Sequence, residues 1–370
     1  MGDAEQLGGR LAEGRWRRAI DRAMRLHERY RRVFWTLHSV WALLTGVAVL
    51  VLAHNRYGYL PWVVLFIALT WASTLFFSRI AGPTRSAAFR FAQGFVSYFT
   101  RVLYQETLFF LIPFYFYSTT FPSWNCAFVI LLGVLAVLSC FDLVFDHLLR
   151  TRRVFAMAYF AVVSFSALQF FLPAVFRIRI HNGTYLAAGV AFAAAVTLAY
   201  PLSELRQPRR LAKVLLALVL VVAAVSFGRT AVPPVPLRLI KVRFATSFDP
   251  TVMRAPREYE GRMPLAALHG KRLYAIATIF APSRIPTSLT FRFVHDGRVL
   301  HASRAVDVLA HERGFRVWDT LQAPPAGFGP GRYRVELWTR EGQLVGRADV
   351  TLEAASARGS GTRTAPGRSP

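Results

Sequence analysis

Over the first 230 positions apolar residues come in blocks, and beyond them the chain turns to a period-two alternation. An α-helix needs roughly 20 apolar residues to cross about 30 Å of hydrocarbon. Seven blocks read as spans: 34–53, 62–80, 102–117, 126–148, 155–176, 185–202 and 211–227. The pattern therefore predicts a polytopic α-helical bundle of seven transmembrane helices over 34–230. A basic amphipathic arm (1–33) precedes it. A Pro-rich spacer (231–237) follows, because proline cannot continue a helix and favours extended backbone. Beyond it Ile240, Val242 and Phe244 alternate with Lys241 and Arg243, and Leu289, Phe291 and Phe293 with Thr290 and Arg292. Period two marks half-buried strands. Strands are predicted at 238–246, 271–280, 288–294, 298–305, 314–320, 332–339 and 344–353, with glycine turns at Gly297 and Gly342. This reads as an all-β, sandwich-like extracytoplasmic domain over 238–354. A Gly/Ser/Thr/Arg/Pro tail (355–370) is expected to be disordered.

Charge orients the spans. Twenty Lys and Arg residues lie in the arm and in the loops after the second, fourth and sixth spans. Three lie in the alternate loops, at Arg56, Arg177 and Arg179. Basic loops stay on the cytoplasmic side, so the N-terminus is expected in the cytoplasm and the β region outside. Topology accounts for much of the net charge of +25, and no nucleic-acid partner is expected. The expected partners are the lipid bilayer and an envelope component or protein that meets the outer domain. No apolar run ending in a small-residue cleavage site precedes Phe34, so the first span is expected to act as its own targeting signal.

Few residues could carry chemistry. Ionisable groups within a membrane are costly and are functional candidates for that reason. Glu106, beside Gln105, falls near the start of the third predicted span. Asp142 and Asp146, four apart on one helix face, and His147 fall near the end of the fourth. All would gather near the cytoplasmic surface, either as a charge network locking two helices together or as a proton or cation site. Gln169, Ser164 and Ser166 are candidate hydrogen-bonding glue, and Pro173 a candidate kink. In the outer domain Phe315, Arg316 and Trp318 are a candidate ligand surface. Cys126 and Cys140 read as packing residues. His295, His301 and His311 lack metal-ligand spacing, and no catalytic residue, cofactor or metal site is predicted.

Four segments of the outer region carry a resemblance: Phe291–Gly297, Gly314–Trp318, Gly331–Val335 and Glu341–Gly346. Over 238–353 the chain resembles an uncharacterised bacterial family, domain of unknown function 2914. The membrane half, around Gln105–Glu106 and Pro113–Tyr115, resembles an uncharacterised bacterial membrane family found upstream of that domain. The resemblance implies a bacterial inner-membrane setting and no assigned activity. The resulting expectation is an inner-membrane protein displaying a periplasmic binding or sensing module. The alternative is a transporter or ion-coupled protein using the carboxylates.

Overall fold

The computed structural model describes residues 104–268, 272–281 and 285–354, with Leu37, Val40, Trp41, Leu44 and Leu69 before them. Apart from those five positions, the basic arm and the first two predicted spans lie outside the described residues, as does the tail 355–370.

Seven helices lead. They are α1 (104–117), α2 (Cys126–Cys140), α3 (Asp142–Thr151), α4 (Arg153–Phe176), α5 (Ile180–Ala199), α6 (Leu202–Leu205) and α7 (Pro208–Gly228). A 3₁₀ turn, Arg229–Ala231, continues α7. Pro208 opens α7, where a missing N–H is one the helix leaves unpaired in any case. The expected bundle of seven spans with a sandwich-like domain is corrected here. Among the described residues three helices are long and apolar enough to cross a membrane: Arg153–Phe176, Ile180–Ala199 and Pro208–Ala231. The predicted span 126–148 is broken at Phe141, whose backbone (φ −90°, ψ 73°) leaves the helical region. What remains before the break is the 15-residue α2, about 22 Å long at 1.5 Å per residue and short of a bilayer core. Helices first and strands second is the order observed.

Among the described residues nine strands follow: β1 (Arg238–Ala245), β2 (Gly261–Pro264), β3 (Leu273–Ala281), β4 (Ser288–His295), β5 (Arg298–Ala302), β6 (Val306–Asp307), β7 (His311–Leu321), β8 (Gly331–Thr339) and β9 (Leu344–Glu353). They form a three-stranded sheet, β1-β3-β7, and a second sheet, β2-β9-β8-β4-β5, with β6 also on β4. All pairings are antiparallel except β2 with β9. Because alternate residues face opposite sides, Val242, Phe244, Phe315 and Val317 from one sheet and Phe291, Phe293, Val335 and Leu337 from the other join a single buried cluster. Gly346 matters to the fit of β9 against β1. A Cβ there would stand 2.5 Å from the Leu239 Cβ, so only glycine admits the approach.

The chain divides into two compact units. One comprises residues 1–113, 130–167 and 189–218, and the other 114–129, 168–188 and 219–370. In the first, the Tyr104 ring meets Tyr159 edge-on at 5.8 Å, and Gln105 bonds to Cys140. In the second, Phe114 packs on Phe170 at 4.6 Å and the Tyr185 hydroxyl meets Ser226 Oγ at 3.1 Å. The second unit also holds both sheets.

Candidate functional site

Within the second unit the helix ends and the β region form one packed body. Residues Val232 to Leu237, the Pro-rich segment, are buried throughout. Ile180, the first residue of α5, is fully buried in the same cluster as Leu237, Phe291 and Val335. Polar side chains complete the seam. Gln343, in the β8–β9 turn and buried, donates from Nε2 to the carbonyls of Val232 (3.1 Å) and Arg229 (3.3 Å). Its own backbone is held by Thr339, whose Oγ1 accepts from Gln343 N at 3.1 Å and whose N–H donates to Gln343 O at 2.8 Å. From the loop between α1 and α2, Asn125 donates to the Leu344 carbonyl at 3.2 Å. Its Oδ1 accepts from Thr120 N–H and Ser123 Oγ. The Arg347 guanidinium donates to the Pro122 carbonyl, and the Arg238 guanidinium lies 5.1 Å over the Tyr117 ring. A buried amide that supplies the Val232 carbonyl with its donor, and adds a second to the Arg229 carbonyl already bonded to Val232 N–H at 3.2 Å, is a strong positional constraint, because losing it leaves a buried carbonyl unpaired. The segment read from sequence as a spacer is a clamped joint.

All these contacts fall at one end of the two sheets. Far from it lies an aromatic face on the outer side of the three-stranded sheet. Trp318 on β7 packs against Phe248 at 5.1 Å and Tyr274 at 6.2 Å, and Phe248 and Tyr274 are 6.2 Å apart. All three rings are half-buried. Register explains the grouping: Ile276 pairs with Trp318 and Tyr274 with Thr320, so positions 274, 276, 318 and 320 share one side. Of the predicted surface residues, Arg316 and Trp318 sit on this side, and the Arg316 Nη1 donates to the Met253 carbonyl at 2.8 Å. Phe315 faces the other way and is buried in the core. Tyr274 and Phe248 were not among the predicted residues.

Asp319 also faces inward, opposite Ala275, and its Oδ2 lies 3.2 Å from His301 Nε2 on β5, an edge strand of the other sheet. Burial raises the Asp319 carboxyl above its usual range, against the opposing pull of the Thr320 amide and His301. At Asp349 burial acts in the same direction, but hydrogen bonds from Arg332 and Arg334 outweigh it and hold that carboxyl low.

The predicted intramembrane residues are only partly drawn together. Gln105 is buried and donates to Cys140 Sγ at 3.3 Å, joining α1 to α2. Glu106 follows it on α1, half-buried. His147 is exposed on α3, and its carbonyl accepts from Thr151 Oγ1 at 2.6 Å. Asp142 and Asp146 fall on α3, and their side chains lie outside the described residues. On α4 the Gln169 amide and the Ser164 hydroxyl are buried without a hydrogen-bond partner among the described residues.

A family model matches residues 14–275, more than half of the 370-residue chain, running through the helices and the clamped joint into β3. That match does not confirm the resemblance of 238–353 to domain of unknown function 2914. No curated protein matches the chain. The chain therefore belongs to a family of unknown function, DUF5924.

Proposed function

We propose that this is a bacterial inner-membrane protein with a cytoplasmic N-terminus, holding its β region on the periplasmic side as a binding module for an envelope component. The observation that carries the reading is the clamped joint. A segment that only tethered a wandering domain would gain nothing from burying six consecutive residues and saturating two of their neighbouring carbonyls. Such a joint suits a module that must be presented in a fixed attitude. The half-buried rings of Phe248, Tyr274 and Trp318, at the far end of the sheets, are its binding face. Aromatic rings offer large contact area at low entropic cost, with polar tips for orientation. The likeness of the strands to domain of unknown function 2914 belongs to the same proposal.

The test is site-specific photo-crosslinking in cells with the full chain. A photoreactive residue at Thr320, on the aromatic face, is compared with one at Arg298, off it. The expected result is a discrete, saturable adduct at Thr320 that disappears in Trp318→Ala. Equal or absent adducts at both positions, with Glu106→Gln abolishing ion uptake into proteoliposomes, would transfer the function to the membrane helices.

A further inference from the structure

We propose that the rim of the β region at the helix-contact end is itself a membrane-surface site, seated in the headgroup layer of the bilayer that the helices cross. The inference rests on the reading that α4, α5 and α7 cross that bilayer. The β8–β9 turn at Gln343 and the start of β1 at Arg238 mark the end of the sheets where the helix ends attach. Strand pairing brings a second set of residues to that same end. Val306 pairs with Leu289, and Leu289 with Thr339, next to the turn. His311 pairs with Ala281, just past the Arg238–Phe280 pair. The loop between β6 and β7 therefore lies level with the joint, and Leu309 on it is 58% exposed. Val306 is also exposed. On the helix side of the same unit the α1–α2 loop exposes Phe121 and Trp124, the latter 71% exposed.

Apolar and aromatic side chains standing open at one level, where apolar helices enter a fold, match the water–lipid boundary. Water would be a poor neighbour for them, and acyl chains just below the headgroups a good one. Charge at this end agrees: Arg340 is exposed in the turn and Arg304 just before β6, with Arg229 and Arg238 at the joint. Asp307 and Glu341 oppose them, leaving an excess of cations that anionic headgroups would complement. The occupant is therefore lipid of the chain's own bilayer. The β region is bound twice, by the joint and by the surface beneath its rim.

An internal comparison sharpens the test. Val299, on the edge strand β5, is 57% exposed, almost as much as Leu309, but sits at the opposite end of the sheet, where His295 pairs with Arg298. Single cysteines are placed at Leu309, Val299 and, as a lipid standard, Leu220 on α7, in the full chain lacking Cys126 and Cys140. Each is labelled with an environment-sensitive fluorophore and reconstituted into phosphatidylethanolamine/phosphatidylglycerol vesicles containing lipids with shallow nitroxides. Leu309 is expected to be quenched about threefold more than Val299, approaching Leu220. Quenching at Leu220 with Leu309 behaving like Val299 overturns the rim site and leaves the crossing helices standing. Water-like behaviour at Leu220 and Leu309 alike overturns both. Should Leu309→Cys not fold, Val306→Cys carries the same comparison.

Discussion

Replacing Gln343 by alanine tests whether the joint is clamped by hydrogen bonds or only by apolar burial. The side chain is buried and donates to two carbonyls, those of Arg229 and Val232. Alanine removes both donations; the Arg229 carbonyl keeps the Val232 N–H at 3.2 Å, and the Val232 carbonyl loses its donor. A buried polar group stripped of its partner costs about 1–3 kcal/mol. The Val232 carbonyl belongs to a buried residue and carries the loss, whereas the half-exposed Arg229 keeps its backbone partner. The loss comes to about 1–3 kcal/mol, or roughly 5- to 150-fold in the population of the open joint. Hydrogen exchange reads this directly, because local opening need not be global unfolding. The reporters are the amides of Val235 and Leu237, which bond to the carbonyls of Pro233 and Pro234 at 2.8 and 2.9 Å. Their exchange should accelerate by that factor while the amides of the central strand β3 keep wild-type rates. Unchanged exchange at Val235 and Leu237 would refute the clamp. Equal acceleration in β3 would show instead that Gln343 serves the whole fold.

Three further outcomes are expected. Gly346→Ala should lower the unfolding temperature by the equivalent of about 1–3 kcal/mol of overpacking, and part of that loss should return in a Leu239→Ala background, since the new Cβ meets Leu239. At Asp319 the folded carboxyl is raised by burial, so the folded state holds its proton more tightly than the unfolded chain. The contribution of Asp319 to stability is then greatest below the usual carboxylate value and declines as pH climbs from there through the raised one. Asp319→Asn should lack that decline, so its stability relative to wild type should grow across the same window in thermal melts at stepped pH. Gln169→Leu replaces a buried amide lacking a partner among the described residues by an apolar group of similar size. It should leave the detergent-solubilised protein as stable as wild type or more so. A marked loss would mean that the amide is bonded.

The strands were the legible part of this chain. Each predicted run overlaps an observed strand, because one buried face imposes a two-residue rhythm that survives in sequence. β2 escaped notice, since Gly261-Arg262-Met263-Pro264 has no such rhythm and is held by parallel pairing to the distant β9. The helices were less legible. Apolar residues flank Phe141 on both sides, Leu138 before it and Leu143, Val144 and Phe145 after it, so hydropathy averaged over the span hides the interruption. At the aromatic face alternation alone separates Phe315, facing the core, from Arg316 and Trp318. The partnership with Phe248 and Tyr274 depends on strand register across the sheet. The joint was not readable at all. Asn125 and Leu344 are 219 positions apart, and a polar residue in a turn looks the same whether it meets water or a buried carbonyl.

The place of β9 in the joint also sets an order of events. Gln343 and Leu344 supply the donor and the acceptor that close the seam, and Arg347 follows within the same strand. All three are synthesised after every described helix and every other described strand. Until they are made, the Val232 carbonyl lacks the Gln343 amide and the Asn125 side chain lacks the Leu344 carbonyl. The last strand thus works as a completion mark. A chain cut short before Gln343 is expected to leave this joint open to protease even with every described helix already made.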